Sequence, residues 1–417
     1  MYINDNIIEN IGQEEIKRYL KKRGISENKF GKDFQFWLSD LIDVQISRDE
    51  FEEYCYDALM FGKRKYIRSY EIINTRILKD ENKWIKKLKK DFAINSLNFN
   101  KILSTSLQPG EDWKIAALKT SDDEKGDLNE IAILFQCYVC KNGNIDACTY
   151  IPVEFDLKNK ILLIKSWRRL GLQGEEEYKY NHLMDKVFEW VSNNLEVEIK
   201  KSQLNYKTTL ANMNESLIKE LLNAIPTSRK LSVIRDYFPK VEAVILSKID
   251  FENKYNNGEE ERLPENVMKI QDELSNLVTR AIVSDYFFKR KYDTVWGLGL
   301  SAIVNSVKLS DLDNSITIVK SENNNKPVFC GKPFLMLLGA MESSNQVDSL
   351  CISFTNRDKK FRVSYDATKE DYITIGILSG QEDFCANDYQ VIWEMLKKYE
   401  KGEVISTESV VKEAIGE

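Results

Sequence analysis

The order of patterns along the chain predicts an α+β protein: a helical N-terminal region, then two mainly antiparallel β-sheet units joined by a helical segment. Three observations carry this. Residues 130–167 read as three apolar-rich runs separated by the polar turns 141–144 and 156–160. Residues 204–292 carry helical spacing throughout, and a second β-rich stretch follows over 294–378.

Taken in order, residues 13–23 read as a charged helix that Gly24 is suited to end in the left-handed conformation. Residues 34–42 are a second, apolar piece. Ser47 with Glu50 fits a capping box, and behind it Phe51, Cys55, Ala58 and Leu59 fall on one helical face. Over 83–92, Trp84, Leu88 and Phe92 lie opposite Lys83, Lys86, Lys87 and Lys90. Polar loops at 109–112 and 121–127 flank one short strand, 113–118.

The meander follows. Asn142-Gly143 tolerates the positive φ that a tight hairpin turn demands, so the first two runs pair. Ile161 to Ile164 is apolar on both faces, which places the third strand centrally. Beyond a break at 171–174, Glu175-Glu176-Glu177 opens a helix where its dipole favours acids, with Tyr180, Leu183, Met184, Val187, Phe188 and Val191 as its stripe.

Pro226, Pro239 and the loop 256–261 punctuate the helical segment. Its last helix, 265–291, would run roughly 40 Å. There Val267, Ile270, Leu274, Leu277 and Ala281 form a seam for the core or for a partner helix. Strands are expected at 315–320, 334–338, 349–354, 361–365 and 372–378, and a closing helix at 388–399. The division this implies is 1–105 helical, 106–203 α+β with the meander, 204–292 helical, and 293–417 a C-terminal α+β domain.

A chain of 417 residues with 42% hydrophobic, 11% aromatic and 30% charged residues has material for real cores and exceeds one ordinary domain. Its net charge of −6 implies no whole-molecule attraction to nucleic acid or lipid, so such binding needs a local patch. No leader-like N-terminus and no run of about 20 apolar residues is present. Seven scattered cysteines read as reduced thiols. A cytoplasmic protein without membrane contact is expected.

Chemistry-bearing patterns are few. Cys137-x-x-Cys140 with Cys148 resembles zinc spacing, but strand residues three apart point to opposite faces and no second pair lies near, so no metal is expected. His182 is the only histidine, which excludes mechanisms needing two. On its helix it sits with Tyr178, Asp185, Lys186 and Glu189, away from the apolar stripe. No GxxxxGK[ST] loop occurs. Gly297 to Ala302 matches a permissive G-x-G-x-x-A but lacks a convincing strand before it, so no cofactor is expected.

A Mg²⁺-dependent nuclease is one competing expectation, using Glu154 and Asp156 with Asp146 on the second hairpin. Glu198-Ile199-Lys200 has a nuclease-like tripeptide, but its upstream acid, Asp185, falls on a helix. A structural subunit assembling through the 267–281 seam is the other.

The feature that recurs is basic patches interleaved with aromatics. Residues 63–91 hold eleven basic and four acidic residues, a net +7 inside a chain of −6, with Tyr66, Tyr70 and Trp84 among them. Smaller clusters lie at 165–169, 288–292 and 357–362. Cationic side chains on one face neutralise phosphates, and aromatic rings offer stacking surfaces for unpaired bases. The leading expectation is therefore a non-catalytic module binding nucleic acid or a partner protein. Lys63, Arg64, Arg68, Lys83, Lys86, Lys87, Lys90, Arg168 and Arg169 are its contact residues, and no catalytic residue is identified. The Asn-, Lys- and Ile-rich composition suggests a bacterial source, and an accessory, defence-type assembly or homo-oligomer as its setting.

Overall fold

The computed structural model describes residues 3–25, 33–76, 78–108, 110–141, 145–168, 178–225, 231–248, 270–271, 274–275, 277–278, 281, 298–310, 316–321, 327–328, 346–356, 359–378 and 384–400. The protein is α+β, and every described strand ladder is antiparallel. It divides into two compact units: Met1–Tyr206 with Val363–Lys397, and Lys207–Arg362 with Lys398–Glu417.

In the first unit the chain begins with α1 (Asp5–Ile11) and α2 (Gln13–Lys22). Gly12 joins them at φ 109, a backbone angle that calls for glycine. Next come α3 (Phe34–Leu41) and α4 (Arg48–Asp57). The Ser47 hydroxyl accepts from the Glu50 amide as the capping pattern requires, whereas the Glu50 carboxylate pairs with Arg23. A π-helical turn, Ala58–Gly62, ends α4.

β1 (Tyr66–Glu71) lies inside the region expected to be helical. Ile67, Arg68, Ser69 and Tyr70 are all buried there. A strand with buried arginine and serine has no clean alternation, and its neighbours come from distant sequence, so local pattern missed it. α5 (Glu81–Phe92), β2 (Phe99–Asn100), β3 (Trp113–Asp122), β4 (Leu128–Lys141), β5 (Ile145–Asp156), β6 (Ile161–Ser166) and α6 (Tyr180–Leu195) follow.

The meander is present as expected. β4 pairs β5 from Glu130↔Asp156 to Lys141↔Ile145, and β6 lies between β5 and β1. Both of its faces are covered. On β4, Ile131, Ile133, Phe135, Cys137 and Val139 join the core beneath α5 and α6. The intervening Leu134 joins a second core formed with α1–α4 and the π-helical turn.

From α7 (Gln203–Ala224) the second unit continues through α8 (Leu231–Arg235), α9 (Phe238–Lys248), β7 (Ala302–Ser310), β8 (Ile316–Lys320) and β9 (Ser349–Asn356). β7 pairs both β8 and β9. It begins at Ala302, three residues after Gly299 at φ 77, so the glycine pattern leads into a strand and not into the helix a dinucleotide loop needs.

β10 (Lys359–Asp366) carries the chain back to the first unit. There β11 (Tyr372–Ile377) pairs with β1 and with the end of β10, and α10 (Ala386–Lys397) closes the described chain. The C-terminal strands therefore complete the N-terminal sheet instead of forming only their own. Residues 142–144, 171–177 and 334–338 lie outside the described residues, as does most of 265–291; of the seam positions Val267 lies outside them, Ile270 and Leu274 are half-buried, and Leu277 and Ala281 are exposed. Among the described residues no helix is long and apolar enough to cross a membrane.

α5 is held by Trp84, 1% exposed, whose indole N–H donates to the Leu78 carbonyl at 2.7 Å and whose ring meets Phe155 edge-on. Trp84→Ala should lower stability by about 3–5 kcal/mol in urea unfolding, and Lys86→Ala on the opposite face should stay within about 0.5 kcal/mol of the parent.

Candidate nucleic-acid interface

α5 starts where Asp80 accepts from the amides of Asn82 and Lys83, at 3.1 and 3.3 Å. It stops at Ala93, which takes the left-handed conformation and donates back to the Leu88 and Lys89 carbonyls. Between these caps Trp84 and Leu88 are buried and Ile85 and Phe92 half-buried, so the helix faces the sheet with one stripe. The spacing of 83, 86, 87 and 90 then puts those four lysines together on the outer side. Lys83, Lys86 and Lys90 are exposed and Lys87 is half-buried. Among the described residues none of the four has an acidic partner within ion-pair distance.

Two hollows border this face. One, of about 540 Å³, is lined by Lys83, Lys86, Lys87 and Lys90 with Leu78, Trp84 and the turn 194–196. The other, of about 900 Å³, lies at the C-terminal end of α5 and is lined by Lys89, Lys90, Lys101 and Lys114 with Phe92, Phe99 and Trp113. Lys90 borders both.

Of the remaining expected contact residues, Lys63, Arg64, Arg68 and Arg168 line neither hollow. Arg64 is fully buried, donates to Asn10 Oδ1 at 3.3 Å and lies 5.9 Å from the Trp167 ring. Arg68, 3% exposed, is ion-paired with Asp185, donates to the Asn181 carbonyl at 3.3 Å and lies 4.9 Å from the Tyr372 ring. Burial works against its charge, but the hydrogen bond to Asp185, with Tyr70 and Tyr372 beside it, outweighs this and raises its pKa. Neither guanidinium is placed to meet a phosphate. Both brace packed elements instead. Lys63 is half-buried, donating to the Glu9 carbonyl at 3.2 Å with its ammonium 4.7 Å from the Trp167 ring. Arg168 is exposed, and Arg169 lies outside the described residues.

Sequence reasoning missed Lys89, Lys101 and Lys114. Lys89 falls off the main lysine face, and Lys101 and Lys114 reach the hollow only because β2 pairs with β3. An aromatic-lysine alternation around Phe99 and Trp113 was the available signal.

The nuclease residues are not brought together. Glu154 and Asp146 are eight positions apart on β5, about 27 Å at strand rise. The Glu154 carboxylate accepts from Lys165 Nζ at 2.7 Å, and Asp146 accepts from the Tyr138 hydroxyl at 2.7 Å. Asp156 accepts from the Asn159 amide at 2.8 Å. Among the described residues no group of three acids, histidines or cysteines is placed to hold a metal.

His182 is exposed beside a cavity of about 500 Å³ with Asp112, Tyr138 and Glu189. The thiol there, Cys137, is pushed up to about 12 by burial, so the pair does not make a reactive nucleophile. No protein-family model matches this chain, and no curated protein matches it.

Lys165 is fully buried, with its ammonium 4.3 Å from the Phe61 ring and 4.4 Å from the Tyr389 ring. Burial lowers its pKa and the Glu154 carboxylate opposes that shift. Glu154→Ala leaves this charge uncompensated and should lower stability by about 3 kcal/mol. Lys165→Met combined with Glu154→Gln should recover most of the loss in the same urea titration.

Proposed function

We propose that this protein binds nucleic acid, using the outer face of α5 as its contact surface. The observation that carries the reading is the gathering of Lys83, Lys86, Lys87 and Lys90 on one exposed helical face with no acidic partner among the described residues. Like charges three and four apart destabilise a helix by about 0.2–0.5 kcal/mol per pair. This face holds several such pairs, so an isolated α5 surface works against its own helix. A row of phosphates reverses the sign of that effect, because each lysine then displaces a condensed counterion instead of repelling its neighbour. The negative total charge does not oppose this, since it is spread over the molecule and screened within about 10 Å at ordinary salt.

The remaining charges of the +7 segment support the same division. Arg64 and Arg68 stabilise the fold, and the α5 lysines are left for a ligand. Four phosphate contacts predict a log–log salt slope of about −3.6, or roughly a 100-fold loss of affinity between about 50 and about 200 mM salt. Fluorescence anisotropy with labelled oligonucleotides measures this directly. The variant Lys83→Glu, Lys86→Glu, Lys87→Glu, Lys90→Glu should abolish binding while keeping the parent circular dichroism spectrum. Salt-insensitive binding, or binding unchanged in that variant, would remove the reading.

A further inference from the structure

The cavity at the C-terminal end of α5, at about 900 Å³, is the larger of the two hollows beside the lysine face, and its lining is unlike that of a surface that only follows phosphates. Three half-buried rings, Phe92, Phe99 and Trp113, face it from α5, β2 and β3. Two of them are fixed by neighbours. Trp113 stacks on Phe135 at 5.3 Å and 24°, and Phe92 meets Trp113 edge-on at 6.0 Å. Rings already ordered lose little freedom when a flat ligand stacks on them.

The rim is basic. Lys89, Lys90 and Lys101 are exposed and have no acidic partner among the described residues. Each of the two acids lining the cavity has a partner, and for Glu111 it is a lysine of the same lining. Asp91 accepts from the Trp190 indole N–H at 3.1 Å, and Glu111 is ion-paired with Lys114 at 2.6 Å. That pairing with Lys114, together with the Gln108 amide, holds the Glu111 carboxyl below its ordinary range.

Aromatic rings and unpaired lysines in one lining suit a flat ring joined to a phosphate. In a duplex the bases are stacked inward and cannot enter such a recess. In a single strand they can turn out and stack on side chains. Lys90 belongs both to the α5 face and to the rim, so a backbone following Lys83 to Lys90, about 10 Å along the helix axis, arrives at the opening. We infer that this cavity receives an unpaired base, and that single-stranded nucleic acid is the preferred ligand of the α5 face. This rests on the nucleic-acid reading above and narrows it.

The test uses the full chain, with a labelled dT20 strand, an rU20 strand and a 20-base-pair duplex as probes. Both single strands should bind at least about 10-fold more tightly than the duplex. Phe99→Ala should weaken single-strand binding by about 5- to 10-fold, or about 1–1.4 kcal/mol, the lower end of what a stacked base is worth, and leave duplex binding unchanged. Lys101→Glu, at an exposed position that leaves the core intact, should show the same selective loss, so a folding defect in the first variant does not decide the matter.

Duplex bound as tightly as the single strands, or equal losses on all three probes, would overturn the assignment of the cavity while leaving the α5 face as a backbone contact. Failure of every probe to bind would overturn both.

Discussion

A sheet whose central strands are apolar on both faces has to be covered twice. That requirement organises the first unit of this protein. β4 sends Ile133 and Phe135 to one core and Leu134 to the other, and burial of apolar surface drives helices onto both sides. α1–α4 cover one face, and α5 and α6 the other. Because α5 is held by its inner stripe, its outer face is relieved of any role in folding. Trp84 supplies both the buried area and a satisfied indole N–H, so four lysines opposite it are tolerated.

The same core explains why a count of basic residues overstates the contact surface. Lysine and arginine carry long apolar stems, and where a counter-charge or an aromatic ring is at hand they can be built into a core. Arg68 has Asp185 and Tyr372, and Lys165 has Glu154 between Phe61 and Tyr389. Arg68 and Asp185 join β1 to α6 across 117 positions, whereas Lys165 and Glu154 join the neighbouring strands β6 and β5. Removal of one partner is costly where the other is already out of water. The net +7 thus separates into internal charges that hold the fold and external ones that face solvent.

The elements flanking α5 add what a helix alone lacks. β2 contributes Phe99 at the edge of the sheet, and β3 contributes Trp113. A lysine helix beside a flat strand would be a plain electrostatic surface. The hollow at the end of α5 is lined by these rings together with lysines, so shape is added to charge.

Local pattern determined much of the architecture. The hairpin of β4 and β5, the central placement of β6, the Ser47 cap and the amphipathic division of α5 all follow from residues within one or two turns or one hairpin of each other, and such interactions are written in short stretches of sequence. β1 was not legible, because its neighbours β6 and β11 lie about 90 and 300 positions further along the chain and its buried arginine looks like a surface residue until Asp185 arrives. The candidate surface shows the same boundary. The sequence alone determined that Lys83, Lys86, Lys87 and Lys90 share a helical face. Only the tertiary structure decided that Arg64 and Arg68 turn inward and that Lys101 and Phe99 come to the end of α5, since burial and long-range pairing are properties of the packed chain and not of any segment in it.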